Sequence, residues 1–172
     1  DVLGGGIVVR TATDYSARIR QVQQLVGGVP SPFDCYLTLR GIRSLVPRYR
    51  QQCASAQHIA EVLATHPAVA RVNYPGLATH PDYALFQRQQ YLPGAILSVH
   101  LHGGAEKCFR FIDNCTLWVC ATSVGGTESL IEHRASTEGE TSPTPPDLVR
   151  LSVGLEDHAA LVADLCQALE RV

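Results

Sequence analysis

Two alternating histidines, a serine ahead of a glycine pair, and a single lysine are the residues of this sequence that first suggest chemistry. His100 and His102 are two residues apart, so on a strand both rings would face the same side and could share a metal ion. A catalytic zinc site takes three protein ligands, and the neighbouring sequence offers no third. The pair therefore reads as an ordinary exposed strand face. Ser123 stands in Ala121-Thr122-Ser123-Val124-Gly125-Gly126, which lacks the glycine ahead of the serine that a nucleophile elbow requires. Gly125-Gly126 is one glycine pair without a strand-to-helix context, too little for a phosphate cradle. Lys107 is the only lysine, set near Glu106 and Arg110 in a surface-type helical stretch. A Schiff-base lysine needs a desolvated pocket that lowers its pKa, so Lys107 reads as a solvated charge. On this reading the catalytic set within the chain is empty.

The elements that must carry these residues follow from pattern and punctuation. Ile7-Val8-Val9, after Gly4 to Gly6, predicts a short strand. A polar helix is expected over Asp14–Val26, capped by Asp14 and stopped by Gly27-Gly28. Ser31-Pro32-Phe33-Asp34 predicts a helix start, with serine as N-cap, proline in the first position and Asp34 facing the positive end of the dipole. Gly41 and Pro47 should break or restart that helix, and a long one follows over about residues 47–64, closed by His66-Pro67. Beyond it the pattern changes to short units. Strands are expected at 70–74, 95–101, 117–121 and 148–153, and helices at about 81–90, 105–114 and 157–171. Residues 141–146, rich in proline, must form a loop.

Composition narrows the class. The chain has 172 residues, 45% of them apolar, and a net charge of −2. This is enough apolar material for a sizeable core, and the charge balance excludes a basic nucleic-acid footprint. No apolar run reaches membrane-spanning length and no signal-peptide layout opens the chain. Six cysteines, at 35, 53, 108, 115, 120 and 166, form no CxxC pair and match no zinc spacing. They read as buried free thiols in a reducing cytosol. There is no methionine, and the opening Asp1-Val2-Leu3-Gly4-Gly5-Gly6 reads as the middle of a folded chain, so a truncated piece of a longer protein is expected.

Three stretches, in this order, resemble one family. Ser31-Pro32-Phe33-Asp34 with Leu39-Arg40-Gly41-Ile42 is similar to a helix entry of the trans-sulfuration enzymes, the cystathionine synthases and lyases that use pyridoxal phosphate. Ser123-Val124-Gly125-Gly126-Thr127-Glu128-Ser129-Leu130 resembles their substrate-binding segment. Arg150-Leu151-Ser152-Val153-Gly154-Leu155-Glu156-Asp157 resembles their final strand and helix start. Val72-Asn73-Tyr74-Pro75-Gly76-Leu77 agrees in order and spacing. The resemblance implies an α/β fold of the aspartate-aminotransferase type (fold type I). Residues 1–65 would complete the large cofactor-binding domain. Residues 66–172 would form a small α+β domain, with helices over a mainly antiparallel sheet, that closes over the substrate.

The same resemblance implies the chemistry. The cofactor is pyridoxal phosphate, its lysine lying upstream of Asp1 with most other cofactor contacts. The substrate is a small amino acid, and the reaction an elimination or replacement at its β or γ carbon. The assembly is a homotetramer of paired dimers, with no nucleic-acid or membrane partner. Arg150 matches the arginine that holds the substrate α-carboxylate, which suits a planar guanidinium. Ser123 matches a serine facing the lysine and substrate, and Thr122 precedes it at a position that is often glutamate in γ-acting members. Threonine has no charge, so steering of a charged substrate is not inherited there. His133-Arg134-Ala135-Ser136-Thr137-Glu138-Gly139 departs from the family's usual His-Pro-Ala-Ser-Met-Thr-His, so the choice of reaction is not inherited either. Two rival readings are a non-catalytic paralogue or oligomerisation module, and a hydrolase using Ser123.

Overall fold

The computed structural model describes residues 2–139 and 141–172. Asp1, the first residue of the stretch placed after the family's lysine, lies outside them. Two compact units divide the chain, Asp1–Val46 and Pro47–Val172.

The first unit holds α1 (Asp14–Val26) and α2 (Pro32–Arg43). Thr13, not Asp14, caps α1. Its hydroxyl accepts from the Ser16 N–H and the Ser16 hydroxyl oxygen accepts from the Thr13 N–H, while Asp14 takes the first helical position. Gly27 ends the helix at φ 76°, the left-handed conformation that glycine adopts without a Cβ clash. Ser31 and Asp34 form the second capping box, with Pro32 in the first turn as expected. The helix runs through Gly41 to Arg43 instead of breaking there. Ile7-Val8-Val9 is not a strand. β-branched residues favour extended backbone, but a strand exists only beside a neighbour, and none of the described residues pairs with this segment. Neither α1 nor α2 buries a residue, and Leu25, Val26, Phe33 and Leu39 are all exposed.

The second unit takes in most of α3 (Leu45–Leu63), which tolerates Pro47 because it falls in the first turn. Then come β1 (Val69–Asn73), α4 (Tyr83–Gln89), β2 (Ile96–Leu101), α5 (Gly104–Asn114), β3 (Val119–Cys120), β4 (Leu130–His133), α6 (Arg134–Glu138), β5 (Leu148–Ser152) and α7 (His158–Leu169). Strand β4 and the short α6 have no counterpart among the elements expected from sequence. The sheet order is β1-β2-β5-β4-β3, antiparallel throughout except for the β3–β4 pair. This is the expected helix-covered, mainly antiparallel layer.

Period-two alternation divides the sheet into two faces. Leu97, Val99, Leu101, Ile131, Val149 and Leu151 cluster with Ala56, Ile59 and Leu63 of α3, Phe111 of α5, and Leu161 and Leu165 of α7. Each of the large side chains contributes about 1.5–3 kcal/mol by leaving water. The alternate residues (Asn73, Ser98, Glu132, Arg150) project from the other face, where the candidate site lies.

Candidate substrate-carboxylate site

Register builds the site. Asn73 pairs with Ser98, Ser98 with Arg150, and Arg150 with Glu132. Directly opposed residues on antiparallel strands share a face, so these four polar side chains form one row across β1, β2, β5 and β4. The Asn73 amide donates to Ser98 Oγ at 3.0 Å. Arg150 Nη2 lies 2.5 Å from Glu132 Oε1. The same nitrogen donates to the carbonyl oxygens of Thr122 at 2.6 Å and Ser123 at 3.2 Å. The three residues singled out in the sequence therefore meet. Thr122 and Ser123 reach Arg150 through backbone carbonyls, while the residues themselves are exposed.

Glu132 is the residue that sequence reasoning missed. Its side chain is only 3% exposed, so its charge depends on partners, and Arg134 Nη1 is a second one at 3.1 Å. Thr137 Oγ1 donates to its other oxygen at 3.3 Å. The signal was present in principle: an acid opposite an arginine on neighbouring strands is a favourable cross-strand pair. Reading it needs β4, which the sequence pattern did not reveal. Arg150, Arg134, Asn73 and Ser98, with Ile96 and Leu148, line an open hollow of about 300 Å³.

The Arg150 guanidinium is held but not saturated. Its Nε is buried and has no hydrogen-bond partner among the described residues. A buried guanidinium N–H without an acceptor is costly, and an incoming carboxylate would satisfy it.

The carbonyls of Thr122 and Ser123 belong to a segment anchored at three points. Gln52 of α3 donates to the Gly126 carbonyl at 2.7 Å. The Ser129 N–H and hydroxyl donate to the Glu156 carboxylate at 2.8 and 2.7 Å, and the Gly154 N–H donates to Ser129 Oγ at 2.8 Å. The Leu155 N–H donates to the Thr127 carbonyl at 2.8 Å. Gly154 has no room for a side chain, since a Cβ would stand 2.5 Å from Glu156 Oε2 and 2.6 Å from the Glu128 carbonyl carbon.

His100 and His102 do not form a pair. His100 is buried, with Nε2 2.8 Å from Arg71 Nη2 and Nδ1 3.1 Å from Asp147 Oδ1. Arginine can only donate, so Nε2 accepts and Nδ1 carries the proton. His102 lies past the end of β2 and is exposed. The exposed strand face expected for His100 is thus replaced by a buried imidazole held between the exposed Arg71 and the half-buried Asp147. Among the described residues no group of three or more His, Cys, Asp or Glu could hold a metal ion.

Residues 1–170 match the family model described as Cys/Met metabolism PLP-dependent enzyme. The chain belongs to that family. Cystathionine gamma-synthase of Mycobacterium tuberculosis is 42% identical over 174 residues, covering 98% of this chain and 45% of the relative. L-methionine gamma-lyase of Pseudomonas deceptionensis is also 42% identical, covering 99% and 45%. Cystathionine gamma-lyase of Saccharomyces cerevisiae is 42% identical, covering 99% and 46%. Among solved structures, metB from Corynebacterium glutamicum superposes with a TM-score of 0.85 at 40% identity, over 91% of this chain and 42% of that one. CalE6, a methionine gamma lyase from Micromonospora echinospora, gives 0.84 at 39% identity, over 92% and 42%. The chain thus spans a little under half the length of the curated relatives it matches.

The family's cofactor is pyridoxal phosphate, and the residues present fit one side of such a site. The row containing the unpartnered Arg150 Nε suits the carboxylate of an amino acid held beside the cofactor. This chain places no lysine in that row. Lys107, its only lysine, lies on α5, whose buried Cys108 and Phe111 belong to the core on the opposite side of the sheet from Arg150. No helix among the described residues is long and apolar enough to cross a membrane.

Proposed function

We propose that the whole protein is a pyridoxal-phosphate enzyme of sulfur amino-acid metabolism, carrying out elimination or replacement at the β or γ carbon of a small amino acid. This chain would supply its substrate-carboxylate anchor. The observation that carries the reading is the buried, unpartnered Nε of Arg150, in a guanidinium already fixed by Glu132 and the carbonyls of Thr122 and Ser123. When bound, pyridoxal phosphate supplies an electron sink for bonds to the substrate Cα. Arg150 fixes the plane of the carboxylate and thereby decides which Cα bond faces that sink. Glu132 keeps the guanidinium in place, and Ser123 holds it through its backbone carbonyl. The lysine that bonds the cofactor belongs to the rest of the protein. Residues up to about 65 complete the large domain and residues 66–172 form the domain that closes on the substrate. A homotetramer in the cytoplasm accompanies this reading.

Arg150→Ala in the whole protein tests it. Cofactor absorbance should be unchanged, while kcat/KM falls by two to three decades, because losing one partner of a buried charge pair costs about 3–5 kcal/mol. A kcat/KM within threefold of wild type would sink the assignment.

A second reading is an interaction module without chemistry. The exposed apolar side chains of α1 and α2 favour it, since such surface calls for a cover. Borohydride reduction of the whole protein after incubation with pyridoxal phosphate, followed by intact-mass analysis, separates the two. A pyridoxyl adduct on a lysine outside this chain supports the enzyme; no adduct supports the module.

A further inference from the structure

We infer that Arg134 is a positioning residue for Arg150, taking up part of the Glu132 charge so that the Arg150 edge stays open to a carboxylate. The inference rests on the carboxylate-anchor reading above. Both arginines bond the same oxygen, Glu132 Oε1, Arg150 at 2.5 Å and Arg134 at 3.1 Å. They also line the same hollow. With Arg150 alone, the buried Glu132 would make a neutral pair, and an incoming carboxylate would meet an acid beside the guanidinium. With Arg134 added, the trio carries a net charge of about +1, from two guanidinium groups and one carboxylate.

Arg134 is itself held on the far side. Its Nε and Nη2 donate to Glu138 Oε1, and Glu138 Oε2 accepts from the Ser142 and Thr144 hydroxyls. The five-residue helix α6 and the turn after it thus present Arg134 to Glu132. Glu138 faces solvent more than Glu132 does, 32% against 3% side-chain exposure, so its charge is better screened and cancels less of the field at Arg150.

The test is calorimetric binding of propionate, a carboxylate with nothing to react, to the cofactor-loaded whole protein, with propionamide as the uncharged control. Arg134→Gln should weaken propionate about five- to tenfold, the effect of removing one nearby charge in a partly screened site. Propionamide binding should not change. KM for the amino-acid substrate should rise by the same factor with kcat unaltered. Arg134→Lys, which keeps the charge, should recover most of the loss. Glu138→Gln separates electrostatics from clasping, because it loosens α6 but leaves the Arg134 charge, and it should bind propionate no more weakly than the wild type does. Unchanged propionate binding in Arg134→Gln, or an equal loss in Glu138→Gln, overturns the inference. Arg150→Gln tells the two proposals apart. Propionate binding that survives Arg150→Gln refutes the carboxylate anchor itself. Binding lost there but unchanged in Arg134→Gln refutes only the role of Arg134.

Discussion

Removing the Asp164 carboxylate should be among the most damaging single changes in the second unit. Asp164 sits on α7, only 5% exposed. It accepts hydrogen bonds from the N–H groups of Thr116, Leu117 and Trp118, from the Thr116 hydroxyl at 2.7 Å, and from Gln167. All of these donors except Gln167 line the turn between α5 and β3, so a single side chain satisfies the connection that brings the chain back to the sheet. Asp164→Ala leaves them without an acceptor. At about 1–3 kcal/mol for each buried unsatisfied group, and allowing for partial relaxation, the loss should be about 3–5 kcal/mol. Asp164→Asn keeps one acceptor oxygen and should lose roughly half of that.

The ionisation of Asp164 gives an independent check. Burial pushes this carboxyl up, but the bonds from Thr116, Leu117 and Trp118 outweigh it and hold the group below its usual value. A depressed folded pKa contributes stability above the unfolded value, near 3.9, and that contribution disappears as pH falls through the folded pKa. Wild type should therefore lose stability on acidification below about pH 4, and Asp164→Asn should lose less over the same range. Urea unfolding of the 172-residue chain at pH 7 and at pH 3 measures both effects. Trp118 is the chain's only tryptophan, 3% exposed, and donates its indole N–H to the Leu161 carbonyl, so its fluorescence reports on this junction. A loss under 1 kcal/mol in Asp164→Ala, or identical pH profiles for wild type and Asp164→Asn, would refute the reasoning.

Other expectations concern the neighbouring loops and thiols. Gly154→Ala puts a methyl against Glu156, Glu128 and the Thr127 carbonyl, and should cost about 2–3 kcal/mol in chemical denaturation, with substrate KM raised because Thr122 and Ser123 shift. The Glu138 carboxyl is lowered to about 2 by the Ser142, Thr144 and Arg134 bonds, so its hold on the turn is present above its unfolded value near 4.3 and lost as pH falls towards 2. Limited proteolysis with pepsin should find residues 138–144 more readily cut at pH 2 than at pH 4, and Glu138→Gln should be cut at both. Burial pushes the Cys108 and Cys115 thiols up to about 12, whereas Cys35 and Cys120 are exposed. Iodoacetamide at pH 8, read by peptide mass spectrometry, should label Cys35 and Cys120 at least a hundredfold faster.

Much of the fold was legible where local signals are strong. Ser31, Pro32 and Asp34 announce α2 because capping chemistry is local, and the apolar spacing of Leu161, Leu165 and Leu169 announces α7 because its stripe faces a core. The failures have the opposite character. Ile7-Val8-Val9 has strand composition, but composition supplies no neighbour for the ladder. Gly41 lowers helix propensity by about 1 kcal/mol, too little to stop a helix with good formers on both sides. Strand β4 is four residues long, and buried Ile131, Glu132 and His133 erase the in–out alternation that would mark it. Its inner-face His133 is accommodated by donating Nε2–H to the Pro146 carbonyl at 2.7 Å and accepting from Ser136, a solution invisible in the sequence.

The candidate site was legible to the degree that it depends on one strand, and hidden where it depends on several. Arg150 stands out because the residues after it, through Gly154 to Glu156, are a contiguous signature. What makes that arginine useful is not contiguous. Its orientation comes from Glu132 on β4, its second contact from carbonyls of a loop that Ser129, Gly154 and Glu156 hold, and the charge balance from Arg134 on α6. Each contribution reaches Arg150 through strand register, and a one-residue slip between β4 and β5 would turn Glu132 to the core face and leave its charge buried without a partner. The same pairing therefore serves two ends. It disfavours the wrong register during folding, since a misplaced carboxylate is costly, and it holds the Arg150 guanidinium with one buried donor, Nε, left without an acceptor.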